Sequence, residues 1–272
     1  MGLRINTNVP ALNNARTLDR STHALNGSLE RLSSGLRINR AADDAAGLAI
    51  AEGFRTEMRG SQMAQRNAQD GISLVQTADG ALSETTNILQ RIRELSLQAA
   101  NGTQSTNNRT ALNTEVQELI AQVEDIALDT EFNGIAVLSA NQSITLQSGS
   151  YVSQTLRVSV AGARTSDLRI SAITVSTAAG AVAAISLVDV ALASVNSLRS
   201  TLGAFQNRLE FTVNTLAIQE ENAAAAESAI RDADIARETI QFTRNQILVN
   251  AGVNVLAQSN VVPESPLTLL GP

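Results

Sequence analysis

The 272-residue chain has no cysteine, no tryptophan, one tyrosine (Tyr151) and one histidine (His23). Without cysteine it can form no disulfide, no thiolate zinc site and no thiol nucleophile. With one histidine, a multi-histidine metal site is excluded, and a histidine-based triad would have to use His23. Lysine is absent too, so all 20 basic residues are arginine; against 26 acids they leave a net charge of −6. Nucleic-acid binding needs a net basic face, and this balance argues against it. Aromatic residues are 2% of the chain, fewer than an enzyme core of this size normally uses. Ala, Leu, Ile and Val must carry the burial, which suits close packing of helix on helix. No uninterrupted run of 18 apolar residues occurs, so no membrane insertion is expected. The opening residues, MGLRINTNVPALNNA, lack the apolar stretch of a cleaved secretory signal.

The most specific stretch is Leu29 to Ala51, LERLSSGLRINRAADDAAGLAIA. Leu29, Leu32 and Leu36 make one apolar stripe on a helix. Ser33-Ser34-Gly35 lowers helix propensity at one point, and Arg37 and Arg40 follow around Asn39. A second helix of small residues begins near Ala45, where Asp43 or Asp44 can accept from its free N–H groups. The stretch therefore reads as helix, charged joint, helix. Ile230 to Asp234, IRDAD, reads as a second charged joint built on Arg231, Asp232 and Asp234.

Residues 3–32 place Ile5, Val9, Leu12, Leu18, Leu25, Leu29 and Leu32 at intervals of three, four or their sums, as a coiled-coil seam requires. Residues 45–100 form a long helical pattern with Val75, Leu82 and Leu89 seven apart and Ala78, Thr85 and Ile92 as the companion row. The polar run at 101–108 is a turn, and a third helix carries Leu112, Val116, Leu119, Val123 and Ile126 before Asn133-Gly134 reverses the chain. Ile144 and Leu146, then Leu156, Val158 and Val160, alternate like half-buried strands. Leu168, Ile170, Ile173 and Val175 suggest further short strands or extended loop, and helix returns near Leu187. Ile240, Ile247, Leu248, Val255 and Leu256 line a last helix. The terminal packing seams are thus Ile5, Leu12, Leu29, Leu32 and Leu36 on one side, with these five residues on the other. The expected fold is mainly α: a long-helix, coiled-coil bundle of paired N- and C-terminal regions with a small β-hairpin region between them. Residues 1–43 with 230–272 make an inner helical pair, and 44–229 an outer bundle that includes a short hairpin tip at 140–185.

Paired carboxylates at the joints, Asp43-Asp44 and Asp232/Asp234, resemble a general acid and base by residue type alone. Arg37, Arg40 and Arg231 lie beside them in sequence without a nucleophile or metal cluster, so they read as structural charge pairs. His23 sits on a polar helix face and reads as a solvated residue. No enzymatic activity and no cofactor are expected.

Several motifs in sequence order resemble bacterial flagellins. They are Ile5-Asn6-Thr7-Asn8, the joint at 33–50, Gln69-Asp70-Gly71-Ile72, Gln76-Thr77-Ala78 and QRIREL at 90–95. Leu202-Gly203-Ala204, Gln206-Asn207-Arg208-Leu209, the 230–234 joint, Gln246-Ile247-Leu248 and Leu256-Ala257-Gln258 follow at the other end. The resemblance spans the chain apart from 140–185, so it implies a short, minimal flagellin; the Leu269-Leu270-Gly271-Pro272 ending departs from the family's usual tail. It implies a structural subunit that polymerises helically with copies of itself into the extracellular flagellar filament, exported without a cleaved signal peptide. It further implies a filament cap protein, a hook-associated adaptor and a cytoplasmic export chaperone on the C-terminal helix as partners. Arg91, Leu95 and Glu115 match the family's patch for the vertebrate Toll-like flagellin receptor. Two rival readings remain: a hook–filament junction protein, and a soluble coiled-coil enzyme or signalling module with carboxylates at its joints.

Overall fold

The structure is a computed structural model that describes residues 7–261. The expected seam residue Ile5 and the 269–272 ending lie outside the described residues. Five helices dominate: α1 (Val9–Ser34), α2 (Ala45–Ala100), α3 (Thr106–Asp129), α4 (Ala178–Arg231) and α5 (Ile235–Val261). Four short strands lie between α3 and α4: β1 (Glu131–Phe132), β2 (Ile135–Ala136), β3 (Gln142–Gln147) and β4 (Thr155–Val160). The fold is mainly α with a small β region, as the patterning predicts.

The chain divides into two compact units, residues 1–56 with 222–272 and residues 57–221. Their limits, at 56/57 and 221/222, fall well inside the helices α2 and α4, whereas the expected limits, at 43/44 and 229/230, fall in the break before α2 and in the last turn of α4.

The larger unit holds the apolar core. On α2, Ala68, Val75, Leu82 and Leu89 make one buried row at seven-residue spacing, and Ala64, Ala78, Thr85, Ile92 and Ala99 make the companion row. On α4, Ala181, Val188, Val195, Leu202, Leu209 and Leu216 repeat the spacing, with Ala184 and Ala191 beside them. Seven-residue rows on antiparallel helices are a coiled-coil seam. Opposite charges fix the pairing of the two helices: Arg93 Nε lies 2.7 Å from Asp189 Oδ1, and Arg199 Nε 2.8 Å from Asp79 Oδ1. Helix α3 adds Val116, Ile120, Val123 and Ala127 to the same core. Within α4 one 18-residue window reaches a mean hydropathy of 2.0, enough by length and composition to cross a bilayer. Counting uninterrupted apolar runs overlooked it because polar residues such as Asp189 punctuate the segment.

Asn133-Gly134 makes the predicted reversal, with both residues at positive φ (51° and 76°) and Phe132 paired to Ile135. This is the geometry that matches the twist of a two-residue hairpin. Strands β3 and β4 pair antiparallel from Gln142↔Val160 to Gln147↔Thr155. Leu156, Val158 and Val160 are buried on the inner face. Leu146 occupies the notch that Gly71 leaves on α2; a Cβ there would strike Leu146 Cδ1, which gives the Gln-Asp-Gly-Ile motif a packing reason.

Residues 161–177 form no strand, although Leu168, Ile170, Ile173 and Val175 are buried. Side chains of α3 take the place of a partner strand. Asn113 Oδ1 accepts from Val175 N–H at 2.8 Å, and Gln117 Nε2 donates to Ile173 O at 2.8 Å. Glu124 accepts from Thr165 N–H at 2.9 Å, from its hydroxyl at 2.6 Å and from Arg164 Nε at 2.7 Å. Helix α4 then starts at Ala178, nine residues before the expected Leu187, because Thr177 Oγ1 caps it by accepting from Gly180 N–H at 3.1 Å.

The Thr165 hydroxyl first, then its N–H and the Arg164 guanidinium, hold the Glu124 carboxyl below its ordinary range against partial burial. A depressed carboxyl stabilises the fold above its unfolded-state pKa and loses that contribution as pH falls through the folded value. Glu124→Gln should therefore unfold at lower urea than the parent at neutral pH, and the gap should close below the ordinary carboxylate range. Urea midpoints across that range test this; a gap that persists unchanged in acid would refute it.

Candidate functional site

Two places gather the sequence-predicted residues. The first is the joint, all within the unit formed by residues 1–56 and 222–272. Helix α1 ends because Gly35 takes the left-handed conformation (φ 72°), its N–H donating to Arg31 O at 2.8 Å. Ser34 Oγ accepts from Leu36 N–H at 3.2 Å. The two charged breaks then join by main chain, as Leu36 and Asp232 form an isolated antiparallel bridge. Arg37 N–H donates to Arg231 O at 2.6 Å, and Ala233 N–H donates to Gly35 O at 2.9 Å. Arg37 Nε adds a bond to Ile230 O at 3.1 Å.

The carboxylates brace this joint. Asp44 caps α2, its Oδ1 accepting from Gly47 N–H at 2.9 Å. Asp43 Oδ2 accepts from the Arg40 and Asn39 N–H groups at 2.9 and 3.1 Å, and these bonds hold its carboxyl below the ordinary range. Asp232 Oδ2 accepts from the Ser228 hydroxyl at 2.6 Å, and Asp234 Oδ1 caps α5 by accepting from Arg237 N–H at 3.1 Å. Sequence reading missed three further acids. Glu30 takes Arg40 Nε at 2.9 Å and Asn39 Nδ2 at 2.6 Å, while Glu52 and Glu227 lie 3.1 and 3.7 Å from Arg231 Nη1. Only the Glu227–Arg231 pair, four apart on one helix, left a sequence signal. His23 is exposed, 3.7 Å from Asp19. Among the described residues no three His, Asp or Glu side chains converge as a metal site.

The terminal seams differ from expectation. Helices α1 and α5 pack antiparallel, but through Ala11, Asn14, Leu18, Ser21, Leu25, Ser28 and Leu32 against Phe242, Asn245, Val249, Gly252, Leu256 and Ser259. Asn8 Nδ2 donates to Ser259 O at 2.8 Å and Asn14 Nδ2 to Ser259 Oγ at 2.5 Å. Small seam residues let the backbones approach; a Cβ on Gly252 would lie 3.1 Å from Leu18 Cδ1. Of the expected residues, Leu32, Leu36 and Leu256 are half-buried. Leu12, Leu29, Ile240, Ile247, Leu248 and Val255 are exposed, Leu12 at 61%, Ile240 at 68% and Leu248 at 46%. The heptads that close the pair run beside these larger residues instead of through them. On α5, Ile240, Ile247 and Leu248 line a shallow recess with Thr239, Thr243 and Arg244.

The second place is the surface of α2 and α3. Arg91 Nη2 lies 2.8 Å from Glu115 Oε1, both half-exposed, and Glu94 adds a contact at 3.3 Å. Hydrogen bonding to Glu115 first, then Glu94, raises the Arg91 pKa above its ordinary value. Leu95 does not complete an exposed patch. It is 1% exposed because its side chain joins the apolar core with Leu89 and Ile92.

Residues 5–143 match the family described as the bacterial flagellin N-terminal helical region, and residues 185–270 its C-terminal helical region. The flagellin of Halalkalibacterium halodurans is 44% identical over 269 residues, covering 98% of this chain and 99% of that protein. The flagellin of Bacillus subtilis is 41% identical over 308 residues, covering 98% and 100%. A flagellar filament 33 kDa core protein of Treponema phagedenis is 40% identical over 283 residues, covering 98% and 99%. The crystal structure of Bacillus cereus flagellin superposes with a TM-score of 0.50 at 33% identity, over 60% of this chain and 94% of that one. A putative flagellar hook-associated protein from Vibrio parahaemolyticus reaches a TM-score of 0.60 at 12% identity, over 70% and 100%, and shares the fold.

The joint depends on the left-handed Gly35. A Cβ there meets nothing within 4 Å, so Gly35→Ala tests conformation alone. The substitution should cost about 1–2 kcal/mol. It should also lower hydrogen-exchange protection of the Arg37 and Ala233 amides, while Gly35→Asn should cost less. Unchanged protection in the alanine variant would show that the bridge does not rely on this turn.

Proposed function

From the premise that this chain belongs to the bacterial flagellins, structural subunits of the flagellar filament, we propose that it polymerises through the outward faces of α1 and α5. One observation carries this reading. Helix α1 buries only Ser28 and α5 buries no residue, yet both present rows of large apolar side chains. A pair of 26- and 27-residue helices without a core of its own needs apolar neighbours to offset the entropy of ordering. Copies of the same pair supply them: repeated head-to-tail contacts that do not close build a helical polymer. In this reading residues 1–43 and 230–272 are the inner part, 44–229 the outer bundle, and 140–185 its tip. Self-association is the principal partnership. The cap protein and the hook-associated adaptor bind the polymer's ends, and the export chaperone covers the apolar face of α5 before secretion.

Leu248→Asp tests the assembly surface, because a carboxylate buried at an apolar contact without a partner is costly. The variant should fold and be exported, yet form no filaments by electron microscopy. Filaments of normal length would show that Leu248 faces solvent in the polymer.

A second reading rests on the half-exposed Arg91–Glu115 pair. We infer that it is the contact for the vertebrate Toll-like flagellin receptor, with buried Leu95 positioning the helix beneath it. Arg91→Ala should raise the concentration of dissociated subunits needed for receptor signalling about tenfold or more, as expected for loss of hydrogen bonds to a charged group. Leu95→Ala should instead lower the subunit's own stability by about 2–5 kcal/mol. Equal signalling by Arg91→Ala and parent would refute the contact, as would parental thermal stability in Leu95→Ala the positioning role.

A further inference from the structure

The sequence holds three Asn–Gly pairs, at 26–27, 101–102 and 133–134, and the fold treats them differently. We propose that Asn101-Gly102, in the turn between α2 and α3, is a site of spontaneous modification: Asn101 cyclises onto the next backbone nitrogen and hydrolyses to aspartate and isoaspartate. The Gly102 nitrogen, having lost its proton to solvent, attacks Asn101 Cγ. The bond from Cγ to the side-chain nitrogen breaks, and that nitrogen leaves as ammonia after taking up a proton. Water then opens the resulting imide at either carbonyl. Opening at the main-chain carbonyl gives isoaspartate, and opening at the side-chain carbonyl gives aspartate. No oxidant or reductant enters; water is the only co-reactant.

The geometry at this pair favours the first step. Asn101 and Gly102 are both exposed just beyond the end of α2. Thr103 N–H donates to Asn101 Oδ1 at 3.3 Å. That bond turns the side-chain amide forward over Gly102 and draws electron density from Cγ, the atom under attack. Among the described residues no main-chain carbonyl accepts from the Gly102 N–H.

The other two pairs lack this freedom. Asn26-Gly27 lies inside α1, where the attacking nitrogen is engaged by the helix itself. Asn133-Gly134 is fixed at positive φ between the paired residues Phe132 and Ile135. Either would have to open locally before its nitrogen could reach Cγ.

The product would alter more than one side chain. Arg109 Nη2 donates to Asn101 O at 3.1 Å and Arg109 Nε to Ala99 O at 2.9 Å, placing a cation on the negative end of α2. Isoaspartate adds a carbon to the main chain between α2 and α3 and moves the first of those carbonyls. Either product leaves a new carboxylate beside this clasp, so the turn changes charge as the subunit ages.

The test uses the full chain, held at mildly alkaline pH and cleaved after arginine. The resulting peptides 21–31, 94–109 and 110–157 carry one Asn–Gly pair each, so mass spectrometry with fragment ions reads the three separately. In the folded protein, conversion in 94–109 should lead the other two by about tenfold or more, since an opening that breaks even one net hydrogen bond shrinks the reactive population by about that factor. In urea the three rates should converge. Gly102→Ala should slow 94–109 without changing helix content, because φ at 102 is outside the left-handed region and the added Cβ meets nothing within 4 Å. Equal rates at the three pairs in the folded protein, the same ranking in urea, or an unaffected rate in Gly102→Ala would each overturn the proposal.

Discussion

Two main-chain hydrogen bonds hold the ends of this chain in register: Arg37 N–H to Arg231 O and Ala233 N–H to Gly35 O. They connect segments nearly two hundred residues apart, a side-chain bond from Arg37 to Ile230 O spanning 193 positions. Closing so long a loop carries an entropy cost, though one that grows only slowly with length. Much of the offset lies in groups that would otherwise be orphaned. Every helix end leaves backbone donors or acceptors without partners, and here two helix ends and two helix starts meet in a few residues. The bridge satisfies some of them across the chain, Asp44 and Asp234 cap the starts of α2 and α5, Asp43 accepts from two N–H groups of the intervening loop, and Asp232 accepts from the Ser228 hydroxyl. Four carboxylates that look like a catalytic set by composition are thereby committed to structure, three of them to backbone N–H groups and Asp232 to a serine hydroxyl.

The chain packs its helices in two ways. In residues 57–221, large branched side chains fill the space between α2, α3 and α4 and give those helices a core of their own. Between α1 and α5 the seam mixes Ala, Ser, Asn and Gly with Leu18, Leu25, Leu32, Phe242, Val249 and Leu256. Its small residues bring the two backbones close, while Leu12, Leu29, Ile240, Ile247 and Leu248 stay outside. A close pair with apolar outer faces is poorly suited to solitude and well suited to repetition, which is the physical basis for reading α1 and α5 as the polymerising part.

At Arg91, Leu95 and Glu115, sharing a helix face and sharing a surface turned out to be different things. Residues four apart on a helix lie above one another, and Arg91 does meet Glu115 on the neighbouring helix. Helix α2, however, buries more than one stripe, since α3 and α4 both cover it. Leu95 lies toward the core, and only the charged members of the trio are reachable.

Much of the architecture was legible in the sequence. Heptad spacing placed α2, alternation placed β3 and β4, Asn-Gly placed the β1–β2 reversal, and Ser-Ser-Gly with the acidic pair placed the joint. These are local rules, in which a residue's neighbours a few positions away decide its conformation. Tertiary structure alone decided which apolar row of α1 and α5 would be covered. The covered face is the one whose heptads intersperse leucines, Phe242 and Val249 with small residues, so that the backbones can approach as Gly252 does against Leu18. It also decided that 161–177 would be pinned by Asn113, Gln117 and Glu124 instead of pairing as strands. Those outcomes depend on partners dozens to hundreds of residues away, and no short-range pattern encodes such a distance.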